Sequence, residues 1–353
     1  MEEKTLKFAA VFLILLTLTM CVVLPYFPEI HTRAVEAREQ RLAEEEFAAN
    51  QTEMNDLTLA VSDMPAEEHE SQLKLRLPEG VGGEAIQYTN DYVTQTIRIE
   101  IPGTDSAYFD SYPIMGSSNH IDTLSYAHEG GEGVIEIVMD KVYELETEYD
   151  DSYYYFDFLT PQEVYDKVVV IDAGHGGRAP GATKQGVNEK DIDLAIVLQL
   201  KELLDNNDRN IGVYYTRTDD SNPTFDQRVQ LANKSNADLF ISIHNNSTLS
   251  GRMSSASGTA VMYNEADEKE LGSRRFAQIC LEEVTAKLGS RNRGLVEGDD
   301  IYIIRTSEVP VALIEVGFMT NQEELDLLRS EEYQKEAAAG IYQAILRAFD
   351  EGY

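Results

Sequence analysis

The stretch VVVIDAGHGGRAPGATKQGVNEKDI, Val168–Ile192, indicates the architecture of the second half of the chain. It begins with branched apolar residues, which predict a strand that is buried on both faces. The run then breaks into glycines around His175, and Glu189 follows fourteen positions later. Glycine lets the backbone turn sharply and approach a ligand closely. Because the whole chain has only six histidines, a histidine in this turn is a candidate functional residue.

Strand-like and helix-like segments alternate from Val168 to the C-terminus. The apolar runs VVVI, IGVYYT, ADLFISI, TAVMY, IYIIR and VALIEVG predict strands. The segments between them, such as NEKDIDLAIVLQLKELLDNN, repeat apolar residues every three or four positions, as an amphipathic helix does. This alternation predicts an α/β domain with a mostly parallel sheet over residues 166–353.

The preceding residues have a different pattern. LKLRLPEG, VTQTIRIEIPG and GVIEIVMDKVYELETEY alternate apolar with polar residues and are separated by proline and glycine. Such alternation is typical of half-buried strands, so we expect a small all-β domain over residues 72–160. Residues 29–71 are polar and rich in Ala and Glu, without a wide apolar stripe, and are interpreted as a helical or flexible spacer.

The N-terminal sequence predicts on which side of the membrane the protein lies. Lys4 and Lys7 precede an uncharged apolar stretch, Phe8–Phe27, which is close to the roughly 20 residues that span a bilayer. Residues 1–28 are therefore expected to be a signal-anchor, or transmembrane helix, with the rest of the chain outside the cytoplasm. A cleaved signal peptide, which would release a secreted protein, stays open as the alternative.

Charge and cysteine content exclude other classes. The formal net charge is −34, which argues against a nucleic-acid-binding protein because such proteins need a basic face. The two cysteines, Cys21 and Cys280, lie in the apolar leader and in a helical pattern. A disulfide framework is therefore not expected.

Four side chains are expected to meet at one edge of the sheet. His175 and His244 each end a predicted strand, and the carboxyl ends of parallel strands gather the working residues of open α/β sheets. Glu189 falls in the first turn of a helix, and Glu315 lies inside the last apolar strand, where an unpaired carboxylate would be costly. Zinc accepts imidazole and carboxylate ligands, and a catalytic site uses three of them. We therefore expect His175, Glu189 and His244 to bind Zn²⁺ and Glu315 to act as general base.

Each of these signals has a simpler explanation when taken alone. A histidine at a strand end often packs or forms hydrogen bonds, and a glutamate in a first helical turn can serve only the helix dipole. The GHGG loop could hold a phosphate, but it lacks the Lys-Ser/Thr of a P-loop and the spacing of a dinucleotide-binding motif. A G-x-S-x-G serine motif is absent from the sequence.

Five blocks together resemble one enzyme family. VVVIDAGHGG, GATKQGVNEKDIDLA, TRTDD, QRVQLANKSNADLFISIHNN and VALIEVGFMTN are similar to the zinc-dependent N-acetylmuramoyl-L-alanine amidases of type 3, over residues 168–349. The resemblance implies a twisted six-stranded sheet flanked by helices. It implies that His175, Glu189 and His244 bind zinc and that Glu315 is catalytic. It also implies the substrate, the amide between N-acetylmuramic acid and L-alanine in peptidoglycan.

The resemblance implies further roles and leaves alternatives open. Asn246 and Arg228 occupy family blocks near the site and are candidate substrate-binding residues, although Arg228 could instead brace the fold. The catalytic domain is expected to be monomeric. A non-catalytic wall-binding or regulatory protein on the same fold, and a zinc carboxypeptidase acting on the stem peptide, remain the alternatives. The all-β domain resembles the AMIN-type domains that target such amidases to the wall, or it could be a spacer or a docking domain.

Some members of this family carry an inserted helix that plugs the zinc site, after the strand that follows S-I-H. Here NEADEKELGSRRFAQ runs directly from the strand ending at Tyr263 into a helix. We therefore expect an open groove that needs no activator.

Overall fold

The computed structural model describes residues 27–50, 57–58 and 71–353 of this chain. The first described element is helix α1, Phe27–Asn50, and all of it except its first two residues falls in the predicted spacer. It consists mostly of good helix formers such as Ala, Glu and Arg.

The predicted membrane anchor requires a correction. In the part of the chain that the structure describes, no helix combines the length and the apolar character needed to cross a bilayer. The stretch on which the anchor was predicted lies outside the described residues, except for Phe27. The expected localisation at the membrane therefore has no support from the structure, and it is not retained.

Residues 71–160, together with the short strand at residues 57–58, form two antiparallel sheets. Their strand orders are β1-β6-β7-β4-β3 and β5-β2-β9-β8. The strands are β1 Leu57–Thr58, β2 Leu73–Arg76, β3 Gln87–Asp91, β4 Thr96–Pro102, β5 Met115–Gly116, β6 Ile121–Glu129, β7 Glu132–Met139, β8 Glu144–Tyr149 and β9 Tyr153–Leu159. A short helix, α2, spans Ser106–Ser111. The alternating sequence of β4 buries every second residue (Ile97, Ile99 and Ile101), which builds the core between the sheets.

The second half of the chain contains a six-stranded sheet of order β13-β10-β14-β17-β15-β16. These strands are β10 Lys167–Ala173, β13 Ile211–Tyr215, β14 Leu239–Asn246, β15 Thr259–Tyr263, β16 Asn292–Glu297 and β17 Val311–Phe318. All neighbours pair in parallel except β15 and β17, which are antiparallel. The prediction of a mostly parallel sheet is therefore confirmed. A two-stranded ribbon, β11 Thr183–Lys184 with β12 Val187–Asn188, lies outside this sheet.

Helices cover both faces of the six-stranded sheet. They are α3 Pro161–Val164, α4 Glu189–Asp205, α5 Phe225–Lys234, α6 Ser273–Leu288, α7 Tyr302–Arg305, α8 Gln322–Leu328 and α9 Glu331–Glu351. Helices α4, α6, α8 and α9 pack in one apolar core, and α5 and α7 pack in the core on the other face. Val142, from the loop between β7 and β8, is buried in this second core. The two antiparallel sheets therefore contact the α/β part through this face.

One predicted strand was wrong. The run IYIIR contains helix α7, Tyr302–Arg305, which buries Ile303 and Ile304. The sixth strand is β16, whose sequence NRGLVE has few apolar residues because it lies exposed at the sheet edge. A short apolar run alone does not distinguish a strand from a buried helical turn.

Candidate metal centre

His175 lies directly after β10 in a tightly packed turn. Its φ angle is +58°, a conformation that is uncommon outside glycine and that clusters at functional sites. A Cβ on Gly181 would lie 2.6 Å from Cδ2 of His175, and a Cβ on Gly174 would lie 2.4 Å from Cε1 of His244. Both glycines are therefore required for the close approach of the backbone to the two imidazoles.

Glu189 is the first residue of α4 and is almost completely buried, with 6% of its surface exposed. Asn188 precedes the helix in an extended conformation, as expected of an N-cap residue. The Glu189 carboxylate accepts hydrogen bonds from the backbone N–H of Asn245 at 3.0 Å and of Ala182 at 2.8 Å. These two bonds fix the carboxylate beside the turn that contains His175.

The structure brings the three predicted ligands together. Glu189 Oε1 lies 3.2 Å from His175 Nε2 and 3.3 Å from His244 Nδ1. The two imidazole rings are 4.8 Å apart at an interplanar angle of 78°. With Asp193 included, one ligand atom from each of the four residues lies within 4.8 Å of the others.

The chemistry of this cluster fits a divalent cation. His175 Nδ1, Asp193 Oδ2 and Glu315 Oε2 are buried polar atoms without a hydrogen-bond partner, and such atoms are rare unless an ion or water satisfies them. Burial disfavours the charged forms of Glu189 and His175. The opposite charges of these two side chains nevertheless lower the pKa of Glu189 and raise the pKa of His175 well above its ordinary value. Imidazole nitrogen and carboxylate oxygen are the donor types that zinc accepts.

Glu315 stands next to the cluster on β17. It is half-buried, and burial together with the negative charge of Glu189 raises its pKa to about 8, although His175 opposes this effect. Glu315 therefore binds a proton more readily than an ordinary glutamate does.

Asp193 is a member of the cluster that the sequence analysis missed. It is completely buried, one turn after Glu189 on α4, and its Oδ1 accepts a hydrogen bond from Asn245 Nδ2 at 2.7 Å. Burial and the charge of Glu189 raise its pKa well above the ordinary value. The spacing of four residues from Glu189, which places both side chains on one helix face, was the available signal.

Arg228 does not face the groove. It is 2% exposed, and its guanidinium donates hydrogen bonds to Asp172 Oδ1 and to the backbone carbonyls of Ala173, His175 and Pro223, at 2.5 to 3.0 Å. The expectation that Arg228 binds substrate therefore requires a correction. Its hydrogen-bonding groups are engaged in holding the His175 turn, which is the bracing role left open above.

Asn246 ends β14 and is half-buried. It lies two residues after His244 on the same strand, and the register with β17 shifts between these two residues. This placement keeps Asn246 near the cluster.

The groove over the cluster is not open. Residues 264–272, all of which the structure describes, form turns without an inserted helix, as the sequence predicted. However, helix α1 lies over the ligand cluster, and its Glu39 Oε1 is 3.2 Å from His175 Nδ1. The expectation of an open groove was therefore wrong, because the covering helix comes from the segment interpreted as a spacer.

Comparisons with known proteins point to one family. Residues 169–347, from β10 to α9, match the N-acetylmuramoyl-L-alanine amidase family. The chain is 40% identical over 185 residues to the uncharacterized protein YqiI of Bacillus subtilis (strain 168). The aligned residues cover 52% of this chain and 86% of that protein. It is 32% identical over 199 residues to the germination-specific N-acetylmuramoyl-L-alanine amidase of the same organism, covering 52% and 81%. It is also similar to the crystal structure of an N-acetylmuramoyl-L-alanine amidase from Clostridium difficile 630, with 34% identity, a TM-score of 0.49 and coverage of 53% and 98%.

Proposed function

The chain belongs to the N-acetylmuramoyl-L-alanine amidase family and is a peptidoglycan amidase, and we propose that it works with a zinc ion held by His175, Glu189 and His244. The observation that supports this proposal is the convergence of these three side chains around Glu189 Oε1, at 3.2 and 3.3 Å. The bond cleaved is the amide between the lactyl group of N-acetylmuramic acid and L-alanine.

The roles of the protein groups follow from their positions. A bound zinc ion supplies a Lewis acid that polarises the amide carbonyl and makes a water molecule more acidic. Glu315 accepts the proton of the attacking water and delivers it to the leaving alanine nitrogen. Its unpartnered Oε2 and its pKa of about 8 suit both halves of this transfer.

The residues around the cluster position the reacting groups. The hydrogen bonds to Glu189 and the Arg228 bonds to the His175 turn hold the ligand set in place. Asn246, two residues after His244 on β14, is the candidate contact to the substrate. The substrate is part of the cell wall, so the enzyme acts outside the cytoplasm.

The antiparallel sheets of residues 72–160 have a separate role in this proposal. They contact the α/β part on the face away from helix α4, through Val142 and through Tyr92, whose ring packs edge-on against Tyr214 at 4.8 Å. This attachment is separate from helix α4, whose first residue is Glu189, and we propose that residues 72–160 serve as the domain that places the enzyme on the wall.

Mass spectrometry of digested peptidoglycan tests the function. The purified protein should release stem peptides with a free N-terminal L-alanine, and a chelator should stop this release until zinc is restored. The Glu315→Gln variant should be inactive, and Glu308→Gln, an exposed position on the loop before the same strand, should be fully active. Release of single amino acids from the end of the stem would indicate a carboxypeptidase. Binding without any release would indicate a wall-binding protein.

A further inference from the structure

Helix α1 presents one polar face to the α/β part of the protein. The residues of this face follow the three- and four-residue spacing that places side chains on one side of a helix. They are Glu36, Glu39, Gln40, Ala43 and Glu46, and each is at least half-buried. The exposed side of the helix includes Arg38, Arg41 and Glu44.

Glu39 lies at the centre of this face and points into the ligand cluster. Only 17% of its side chain is exposed, and its Oε1 is 3.2 Å from His175 Nδ1. The two atoms are not aligned as a hydrogen bond, so His175 Nδ1 has no hydrogen-bond partner. A carboxylate at this place has the chemistry of a further zinc ligand. It contacts the ring nitrogen of His175 that does not face Glu189, so it covers the cluster from the side of helix α1.

Two contacts hold the helix through residues that flank Glu39 in the sequence. Glu36 accepts a hydrogen bond from the backbone N–H of Tyr302 at 2.5 Å. Gln40 accepts one from the backbone N–H of Phe225 at 2.7 Å. Tyr302 and Phe225 are the first residues of α7 and α5, so their N–H groups have no partner within their own helices.

A third contact, through Glu46, holds the C-terminal part of the helix. Glu46 Oε1 accepts hydrogen bonds from the backbone N–H of Arg178 at 2.8 Å and from its Nε at 3.0 Å. Arg178 belongs to the turn that follows His175 and Gly177. The contacts of helix α1 therefore bracket the ligand cluster from both sides.

We propose that helix α1 is an autoinhibitory element, which closes the zinc site with Glu39 and must leave the groove before the amidase can act. This inference rests on the proposed function, because it assumes that the cluster beneath Glu39 is the working site. It concerns a segment that precedes the amidase half of the chain and lies outside the matched residues 169–347.

The contacts are suited to reversible closure. Ala43 is the one completely buried residue among those of helix α1 whose side chains are described. The other contacts are hydrogen bonds and ion pairs with partly exposed partners, which are individually weak and are weakened further by salt. Helices that belong permanently to the fold, such as α4, instead bury a stripe of Ile, Val and Leu.

The same contacts explain how a substrate would displace the helix. The acceptors on helix α1 are carboxylate and amide oxygens, and peptide substrates offer the same groups. The donors of Arg178, Phe225 and Tyr302 can therefore bind either helix α1 or a stem peptide in the groove. Substrate and helix α1 are competitors in this scheme, and any partner that binds the helix would activate the enzyme.

Limited proteolysis and zinc extraction test the closure without depending on catalysis. The full chain is compared with the double variant Glu39→Gln/Glu46→Gln and with the control Glu44→Gln, which alters a glutamate on the exposed side of the same helix. Trypsin cleavage after Arg38 and Arg41, and loss of zinc to a chromophoric chelator, are followed over time. Amidase rates on purified peptidoglycan are measured in parallel.

The double variant should be cleaved at least about fivefold faster, lose zinc at least about fivefold faster and hydrolyse peptidoglycan at least about fivefold faster than the wild-type protein. The control variant should stay within about twofold of wild type in all three measurements. Cleavage and extraction at wild-type rates would overturn the proposal. Faster zinc loss with a reduced amidase rate would also overturn it, because Glu39 would then be a working ligand.

Failure of the proposed function has a different signature. If no variant releases stem peptides, the amidase assignment fails, whereas the cleavage and extraction rates still show whether helix α1 closes the metal site. If all variants are equally active and equally resistant to trypsin, the amidase assignment stands and the closure fails.

Discussion

Glu315 lies directly opposite His244, with their Cα atoms paired on the adjacent parallel strands β17 and β14. The register of the sheet therefore sets a predicted zinc ligand and the predicted base side by side. Immediately beyond this pair the register of the two strands shifts, between His244 and Asn246. Irregularities of this kind are common next to active sites, where they redirect a side chain.

Replacing Glu315 with Gln tests the role of the base. The amide keeps the size of the side chain but cannot accept the proton, so we expect the rate of stem-peptide release to fall by about 10²- to 10⁴-fold. Zinc content should remain at one ion per chain, because Glu315 is not among the three ligands. Mass-spectrometric rates and metal analysis measure the two effects. A variant that retained full activity would contradict the role.

Replacing Asp193 with Asn tests whether Asp193 is a zinc ligand or only lies next to the ligands. Burial and the charge of Glu189 raise the pKa of Asp193, and its Oδ1 accepts a hydrogen bond from Asn245 Nδ2 at 2.7 Å. An amide of the same size can accept the same hydrogen bond, so Asp193→Asn should keep its zinc. Glu189→Gln should lose zinc, because a charged ligand is removed. Metal analysis after dialysis compares the two variants, and loss of zinc from Asp193→Asn would make Asp193 a ligand.

The sequence was sufficient to predict which side chains cluster at the edge of the sheet. His175 and His244 follow apolar strands, and parallel strands with helices between them bring their carboxyl ends to one edge. Glu189 was identified by the adjacent helix start, and Glu315 by a charge in an otherwise apolar strand. Local sequence patterns mark these four positions, so they could be predicted without knowledge of tertiary contacts.

The remaining features depend on contacts that no local pattern reveals. Helix α1 docks through Glu36, Glu39 and Glu46, whereas amphipathic patterns identify helices that dock through apolar residues. A row of glutamates is read as a solvent-exposed face unless its partners are known. The edge strand β16 was missed for a related reason, because its burial is low and its sequence lacks an apolar run.

The buried ion pair of Asp172 with Arg228 predicts an acid-sensitive fold. Burial raises the pKa of Asp172, but the charge of Arg228 and the hydrogen bonds from Ser242 and Thr216 outweigh it, so that the pKa falls from 3.8 to about 2. A lowered pKa stabilises the folded state at pH values above 3.8, and this contribution is lost as the pH falls towards 2. It amounts to about 2 kcal/mol.

Denaturant unfolding at pH 6, 4, 3 and 2 measures this loss. Asp172→Asn is the control, because the amide cannot titrate. This variant should be less stable than wild type by about 3 to 5 kcal/mol at pH 6, since Arg228 is left buried without a counter-charge. The gap between the two proteins should narrow as the pH falls. A gap that stays constant across this range would show that Asp172 does not titrate as proposed.

The polar contacts of helix α1 predict activation by salt. Raising the ionic strength from about 0.05 to 0.5 M shortens the Debye length from roughly 14 to 4 Å, which weakens the pairing of Glu46 with Arg178 and of Glu36 with Arg305. Trypsin cleavage after Arg38 should accelerate with salt in the wild-type chain. In the double variant Glu39→Gln/Glu46→Gln the helix is already released, so its cleavage should respond less. An equal response in both proteins would mean that salt acts on trypsin or on the whole fold, because the helix of the variant is already released and salt has little closure left to weaken.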